Sequence, residues 1–310
     1  MHQIIPQLCR IMGRPSLPTD YAAYDLETTG FDRKKDLIVE WGSVLVRDHQ
    51  PVNRLSMYVN WFATPETVPP DWLVQQLASV KRAMEVTGRS YHVTPQLLKE
   101  QGLHPHKALQ FMHDWLTEIQ SQNLLMVTLN GWNFDNEMLV NHFQQDLDVD
   151  FKFRSDLVFD IGCIEKASQM FAEHDNEALP RSGEDLGTYF QRIASTRRRG
   201  IKYNLGHCVD KYQIKLAQED LHGAGVDSYA LCLLLEQFRQ LAERPVPRPA
   251  RAALPEVVDP KTQAKREENA ATDKQRREAQ AYFENPTFAE SPEVPVNPPA
   301  SPGYRKQRNR

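Results

Sequence analysis

Three apolar, β-branched runs lie close together near the start of the chain: Tyr21–Asp25, Leu37–Val46 and Leu55–Val59. The segments between them are short, whereas a parallel crossover takes about a dozen residues or more. Runs joined this way are expected to pair antiparallel. A fourth run, Leu124–Leu129, follows a long stretch that reads as helix. In that stretch Pro69–Glu85 begins a helical region, Thr94-Pro95 a short helix, and Pro105-His106 a longer one. The last carries Ala108, Leu109, Met112, Leu116 and Ile119 at helical spacing. Further helices are expected from about Asn133, over Asp160–Phe171, over Asn204–Tyr212 and over Gly225–Leu241. Antiparallel strands followed by alternating helices and strands predict an α/β fold, a mixed central sheet with helices on its faces.

The first run leads into Asp25-Leu26-Glu27-Thr28-Thr29-Gly30. Alternate residues of a strand share a face, so Asp25 and Glu27 point the same way. Like charges that close repel unless something positive lies between them, and a divalent cation fits that place. A bare pair of this kind also fits an exposed strand end with two solvated acids. Further acids bear on the choice. Asn133-Phe134-Asp135 directly follows the fourth strand, where ligands gather in open α/β sheets. His222-Gly223-Ala224-Gly225-Val226-Asp227 opens the last helix. Asp160 follows an apolar run and reads as the N-cap of the helix after it.

Taken in order, D-x-E-T-T-G, then F-D, then H-x-A-x-x-D resembles the DEDDh, or DnaQ-like, family of 3′–5′ exonucleases on the RNase H-like fold. The resemblance spans about Tyr21 to Leu241. The tyrosine version of that family places Tyr four residues before the last acid; Gly223 stands there, so the chain resembles the histidine version. The resemblance implies two Mg²⁺ or Mn²⁺ ions held by Asp25, Glu27, Asp135 and Asp227, with Asp25 bridging both. It implies that Glu27 and Asp227 hold the ion of the attacking water and that Asp135 supports the leaving-group ion. His222 would take the proton of that water; an imidazole of ordinary pKa, about 6.5, suits this near neutral pH. Leu26, Thr28, Thr29 and Gly30 lie at the turn beside the metals, where a terminal nucleotide could touch the backbone. The second motif departs from the family pattern. Asn130 occupies the slot next to the usual Asn, and Trp132 replaces a usually small residue. Both are candidates for substrate contact, Trp132 by stacking or as a packing residue.

Charge and composition narrow the function classes. Of the 37 basic and 41 acidic residues, 13 and 9 lie after Glu243, leaving 24 and 32 in the rest. An acidic body is a poor nucleic-acid binder by bulk charge, but it suits a metal site. The basic run Arg197-Arg198-Arg199 is the candidate contact for nucleic-acid phosphates, with a solvated loop as the alternative. The four cysteines form no C-x-x-C pair, so no zinc site or disulfide framework is signalled. His207-Cys208 lacks a partner pair and reads as core. The N-terminal run has no continuous apolar segment, and no window spans a membrane, so a soluble, cytoplasmic protein is expected. Eleven of the 21 prolines lie after Glu243. Residues 244–310 are therefore expected to be mostly disordered, with a marginal helix near 261–283. The expected organisation is an extension over 1–20, an exonuclease domain over 21–243, and that tail.

The sequence thus predicts an exonuclease acting on the 3′ end of single-stranded nucleic acid, DNA before RNA, in proofreading, replication or repair. Some members of the family tether to a polymerase through a C-terminal extension, so a polymerase or replication protein is the candidate partner of the tail, with a passive tail as the alternative. The rival is a non-catalytic adaptor that reuses the fold to bind nucleic acid or protein.

Overall fold

The computed structural model describes residue 1 and residues 3–88, 90–216 and 223–243. The expectations for His222 and for residues 244–310, including their partner, lie outside the described residues. The chain opens with helix α1 (Ile4–Ile11), followed by strands β1 (Tyr21–Thr28), β2 (Ile38–Arg47) and β3 (Gln50–Tyr58). Helices α2 (Pro70–Val86), α3 (Pro95–Gln101) and α4 (Pro105–Ser121) come next. Each begins with proline, whose fixed φ suits the first helical position and whose missing N–H costs nothing there. Strand β4 (Leu125–Thr128), helix α5 (Asp135–His142) and strand β5 (Val158–Asp160) follow, then helices α6 (Ile161–Ala172), α7 (Leu186–Ser195), α8 (Leu205–Lys211) and α9 (Ala224–Glu243). No described helix is long and apolar enough to cross a membrane.

The strands form one mixed sheet in the order β3-β2-β1-β4-β5. The β1–β2 and β2–β3 pairs are antiparallel, and β1–β4 and β4–β5 are parallel. Helices cover both faces, so the α/β architecture expected from the sequence is the one observed. Central β1 is apolar on both faces up to Tyr24, as a strand covered on both sides must be. Tyr21 and Ala23 join one core with Ile4 and Leu8 of α1, Phe190 of α7 and Leu234 of α9. Ala22, Tyr24 and Leu26 join the other with Leu77 of α2, Met112 of α4 and Leu139 of α5.

Four elements differ from the sequence expectation. β3 begins at Gln50, five residues before the expected start. Asp48 and His49 take left-handed φ values of 47° and 66°, making a tight two-residue hairpin between Arg47 and Gln50. The first half of β3 is an exposed edge with no apolar alternation to read. β5 is three residues long, was not expected as a strand, and ends at Asp160, where the expected helix begins. Helices α1 and α7 were not anticipated, although α7 has a clear start. Asp185 accepts a hydrogen bond from the Thr188 N–H at 2.8 Å, and Leu186, Tyr189, Phe190 and Ile193 are buried at helical spacing.

The start of α9 approaches the sheet closely. A Cβ on Gly42 of β2 would lie 1.9 Å from the Ala224 carbonyl oxygen, and one on Gly225 would lie 2.8 Å from Ser56 Cβ. Backbone must meet backbone here, so only glycine fits at Gly42. Gly42→Ala should lower stability by about 1–3 kcal/mol or more, as overpacking against a rigid main chain does. Val52→Ala on exposed β3, read in the same urea titration, should change it by about 0.5 kcal/mol or less.

Candidate active site

Asp25 and Glu27 leave the apolar part of β1 on the face that α9 covers. In the β1–β2 register Asp25 lies opposite Gly42 and Glu27 opposite Glu40. The contact of α9 with Gly42 therefore falls beside both acids. Asp227 sits in the first turn of α9, its amide N–H donating to the Gly223 carbonyl at 2.9 Å. Carboxylate oxygens of Asp25, Glu27 and Asp227 lie within 4.8 Å of one another, with Glu27 and Asp227 buried and Asp25 partly open. Burial pushes the Asp25 carboxyl far above the usual range, and the negative charges of Asp227, Asp135, Glu27 and Glu40 push it further.

Asp135 is the first residue of α5 and is 4% exposed. Burial, with the charge of Asp160 adding to it, raises its carboxyl to about 7. A long hydrogen bond from Thr128 Oγ1, 3.4 Å, acts the other way. Two ties set its position. The Tyr24 hydroxyl of β1 donates to the Asn136 side chain. Asp160, wholly buried, accepts from the Asn130 N–H at 3.0 Å and the Trp132 N–H at 3.3 Å. It also caps α6 through the Cys163 N–H at 3.0 Å, as expected from the sequence. One carboxylate thus anchors both a helix and the loop that delivers Asp135. That second role was missed, because it joins residues about thirty positions apart.

The remaining expected site residues separate into groups. Leu26 points into the opposite core, leaving only its backbone for a ligand. Thr28 Oγ1 donates to the Gly30 carbonyl at 2.7 Å, and buried Thr29 donates to Asp36 Oδ1 at 3.0 Å while accepting from the Leu37 N–H at 2.9 Å. A Cβ on Gly30 would lie 2.5 Å from the Asp36 carboxylate, so this turn is packed tightly against Asp36. Asn130 takes a left-handed φ of 62° and bonds the Asn133 side chain at 3.3 Å. Trp132 packs against both cores, and its buried indole N–H has no hydrogen-bond partner among the described residues. In the loop after α7, Arg198 makes a two-pronged bond to Asp175 at 3.0 and 2.8 Å. That pairing leaves Arg198 less suited to phosphate than a run of three arginines implies.

Sequence reasoning also missed an aromatic rim. Phe31, 71% exposed, follows the Thr28–Gly30 turn and lies with its ring centroid 6.0 Å from that of Phe134. Arg33 joins the two loops by donating to the Asn133 carbonyl at 2.6 Å and pairing with Glu137 at 2.9 Å. The signal was an apolar residue directly after a turn, within a polar segment.

Carboxylates alone, close together and desolvated, are the donor set that hard divalent cations select. The residues present fit such ions.

No protein-family model matches the sequence, and no curated protein matches it. Solved structures do match. E. coli Exonuclease I in a zinc-bound complex with single-stranded DNA aligns with a TM-score of 0.50 and 16% identity, over 72% of this chain and 42% of that one. The same nuclease with a dT13 oligonucleotide gives 0.48 and 17% over 72% and 42%. Its product-bound form gives 0.47 and 16% over 73% and 45%. The chain spans less than half the length of Exonuclease I. At this identity the likeness is one of fold: the chain has the fold of an exonuclease.

Folded Asp135 binds its proton more tightly than an unfolded aspartate, whose pKa is about 3.9. Its contribution to stability is therefore full below about pH 4 and is lost as pH rises through about 7. Without added metal, thermal unfolding of Asp135→Asn should fall less between about pH 5 and pH 8 than that of wild type. Mn²⁺ competes with protons for the cluster, so the rise in melting temperature it causes should be larger at the higher pH.

Proposed function

We propose that the protein is a metal-dependent 3′–5′ exonuclease that hydrolyses single-stranded nucleic acid, DNA in preference to RNA, and releases nucleoside 5′-monophosphates. The observation that carries this reading is the convergence of Asp25, Glu27 and Asp227 carboxylate oxygens within 4.8 Å, at the end of a central strand. An adaptor that only binds has no need of a buried, mutually repelling acid cluster, which lowers stability unless cations fill it.

Asp25, Glu27, Asp135 and Asp227 would hold two Mg²⁺ or Mn²⁺ ions. Bound divalent ions supply charge neutralisation at the phosphate and lower the pKa of a water. The chain's own residues do the rest. The Thr28–Gly30 turn offers backbone groups to the terminal nucleotide, and its own side chains are tied to Gly30 and Asp36. Phe31 and Phe134 offer ring faces to unstacked bases, which single strands present. His222 accepts the proton of the attacking water. The water oxygen bonds to phosphorus and the P–O3′ bond breaks. The shortened strand keeps a 3′-hydroxyl, and the released nucleotide keeps the 5′-phosphate. The fold shared with Exonuclease I bound to single-stranded DNA makes that polymer the first to test.

The test uses 5′-labelled single-stranded DNA and RNA of one sequence, with Mg²⁺, Mn²⁺ or EDTA. The expected result is a ladder shortening from the 3′ end, abolished by EDTA and by Asp25→Ala. His222→Ala should slow it by about 10²–10⁴-fold, the usual worth of a positioned base. Intact substrate with wild type under every metal would overturn the proposal, and faster loss of RNA would reverse the substrate order. Phe31→Ala should raise KM for single strands, with about 1–3 kcal/mol of stacking removed.

A further inference from the structure

Glu40 is a buried acid, 2% exposed, to which the proposed chemistry gives no part. It lies opposite Glu27 on β2, and its negative charge is one of those acting on Asp25. A further carboxylate on this face adds to the repulsion there, so it needs compensating contacts. It has them. Glu40 Oε1 accepts from Ser56 Oγ at 2.7 Å, and Oε2 lies 2.9 Å from His92 Nε2.

The imidazole in turn meets the start of α9. A Cβ on Gly223 would lie 3.2 Å from His92 Cε1, so backbone and ring are in close contact. The Gly223 carbonyl accepts from the amides of Val226 and Asp227, both at 2.9 Å. A continuous path of contacts thus runs from Glu40 through His92 and Gly223 to the backbone of Asp227. The ring is itself fixed by aromatic neighbours, Tyr58 edge-on at 6.0 Å and Tyr91 tilted at 6.4 Å between centroids. Beside it lies an open cleft of ≈ 470 Å³, bordered by Arg54, Ser56, Tyr58 and Val226. That space gives the turn room to shift once the imidazole is gone.

We propose that Glu40 and His92 form a positioning pair that holds the Gly223–Asp227 turn, and with it the Asp227 carboxylate, against Asp25 and Glu27. The kinetic part of its test rests on the nuclease reading; the structural part does not. Neither side chain touches the reacting atoms in this role.

The experiment compares His92→Ala with His92→Gln, whose amide nitrogen reaches about as far as Nε2. Each is read by kinetics on single-stranded DNA with Mn²⁺ and by amide hydrogen exchange. His92→Ala should lower kcat about 10–100-fold while KM moves less than about threefold, the pattern of a displaced catalytic group. Exchange at the Val226 and Asp227 amides should speed at least about tenfold as the turn loosens. His92→Gln should stay within about threefold of wild type in kcat and exchange, because its amide keeps the polar contact with Glu40. Unchanged exchange in His92→Ala, or equal losses in the two variants, overturns the pair. Where His92→Ala does not fold, Glu40→Gln and Glu40→Ala decide. Only the first keeps an acceptor for Nε2, so equal losses again overturn it. A wild type that cuts nothing removes the nuclease reading, while the exchange result still decides the pair.

Discussion

The close crossing of α9 over β2 is the contact on which the site depends. At Gly42 backbone meets backbone, an added Cβ falling 1.9 Å from the Ala224 carbonyl oxygen, and Gly225 packs on the Ser56 side chain. The antiparallel register places Asp25 opposite that same Gly42 and Glu27 opposite the residue two positions before it. Asp227, one helical turn beyond the contact, therefore reaches both acids. A side chain at either glycine would lift α9 and draw its carboxylate away from β1. Interiors packed at this density do not deform smoothly, so the geometry of the cluster is held by the geometry of the crossing.

Gathering acids in this way works against folding, and the fold offsets part of the cost locally. Asp227 lies in the first turn of α9, and Asp135 is the first residue of α5. The positive ends of those helices favour negative charge. The loops that deliver the acids are held by polar contacts with other parts of the chain. Asp160 gathers the amides of Asn130, Trp132 and Cys163, and Asp36 gathers Thr29 and the Asp32 amide. Each of these carboxylates is satisfied by donors near the backbone that it orders. They are structural acids beside a cluster whose oxygens face one another, and this difference in partners separates the two classes.

Much of this was legible in the residues themselves. Alternation along Tyr21–Glu27 placed Asp25 and Glu27 on one face, and proline at the starts of α2, α3 and α4 marked where those helices begin. Short connections predicted antiparallel pairing of the first three strands within a mixed sheet, as observed. The exposed half of β3 was not legible, because an edge strand open to water carries no periodic apolar signal. Nor was β5, whose three residues are too few to show a period. Glu40 passed unnoticed within the apolar run Leu37–Val46, although an acid inside a buried strand, two residues before a glycine, was itself a sign.

Local periodicity fixes the direction of neighbours along one element, so it marked the acids that are candidates for chemistry. It therefore paired Asp25 with Glu27 and put Asp135 and Asp227 at helix starts. That Asp227 meets the first pair, that Asp160 serves the loop of Asp135 and that Arg198 is bound to Asp175 followed only from the packed fold. Those partners lie between 23 and 202 positions apart in the chain. Their meeting follows from how closely helices and sheet can approach, a property of packed surfaces that local periodicity does not encode.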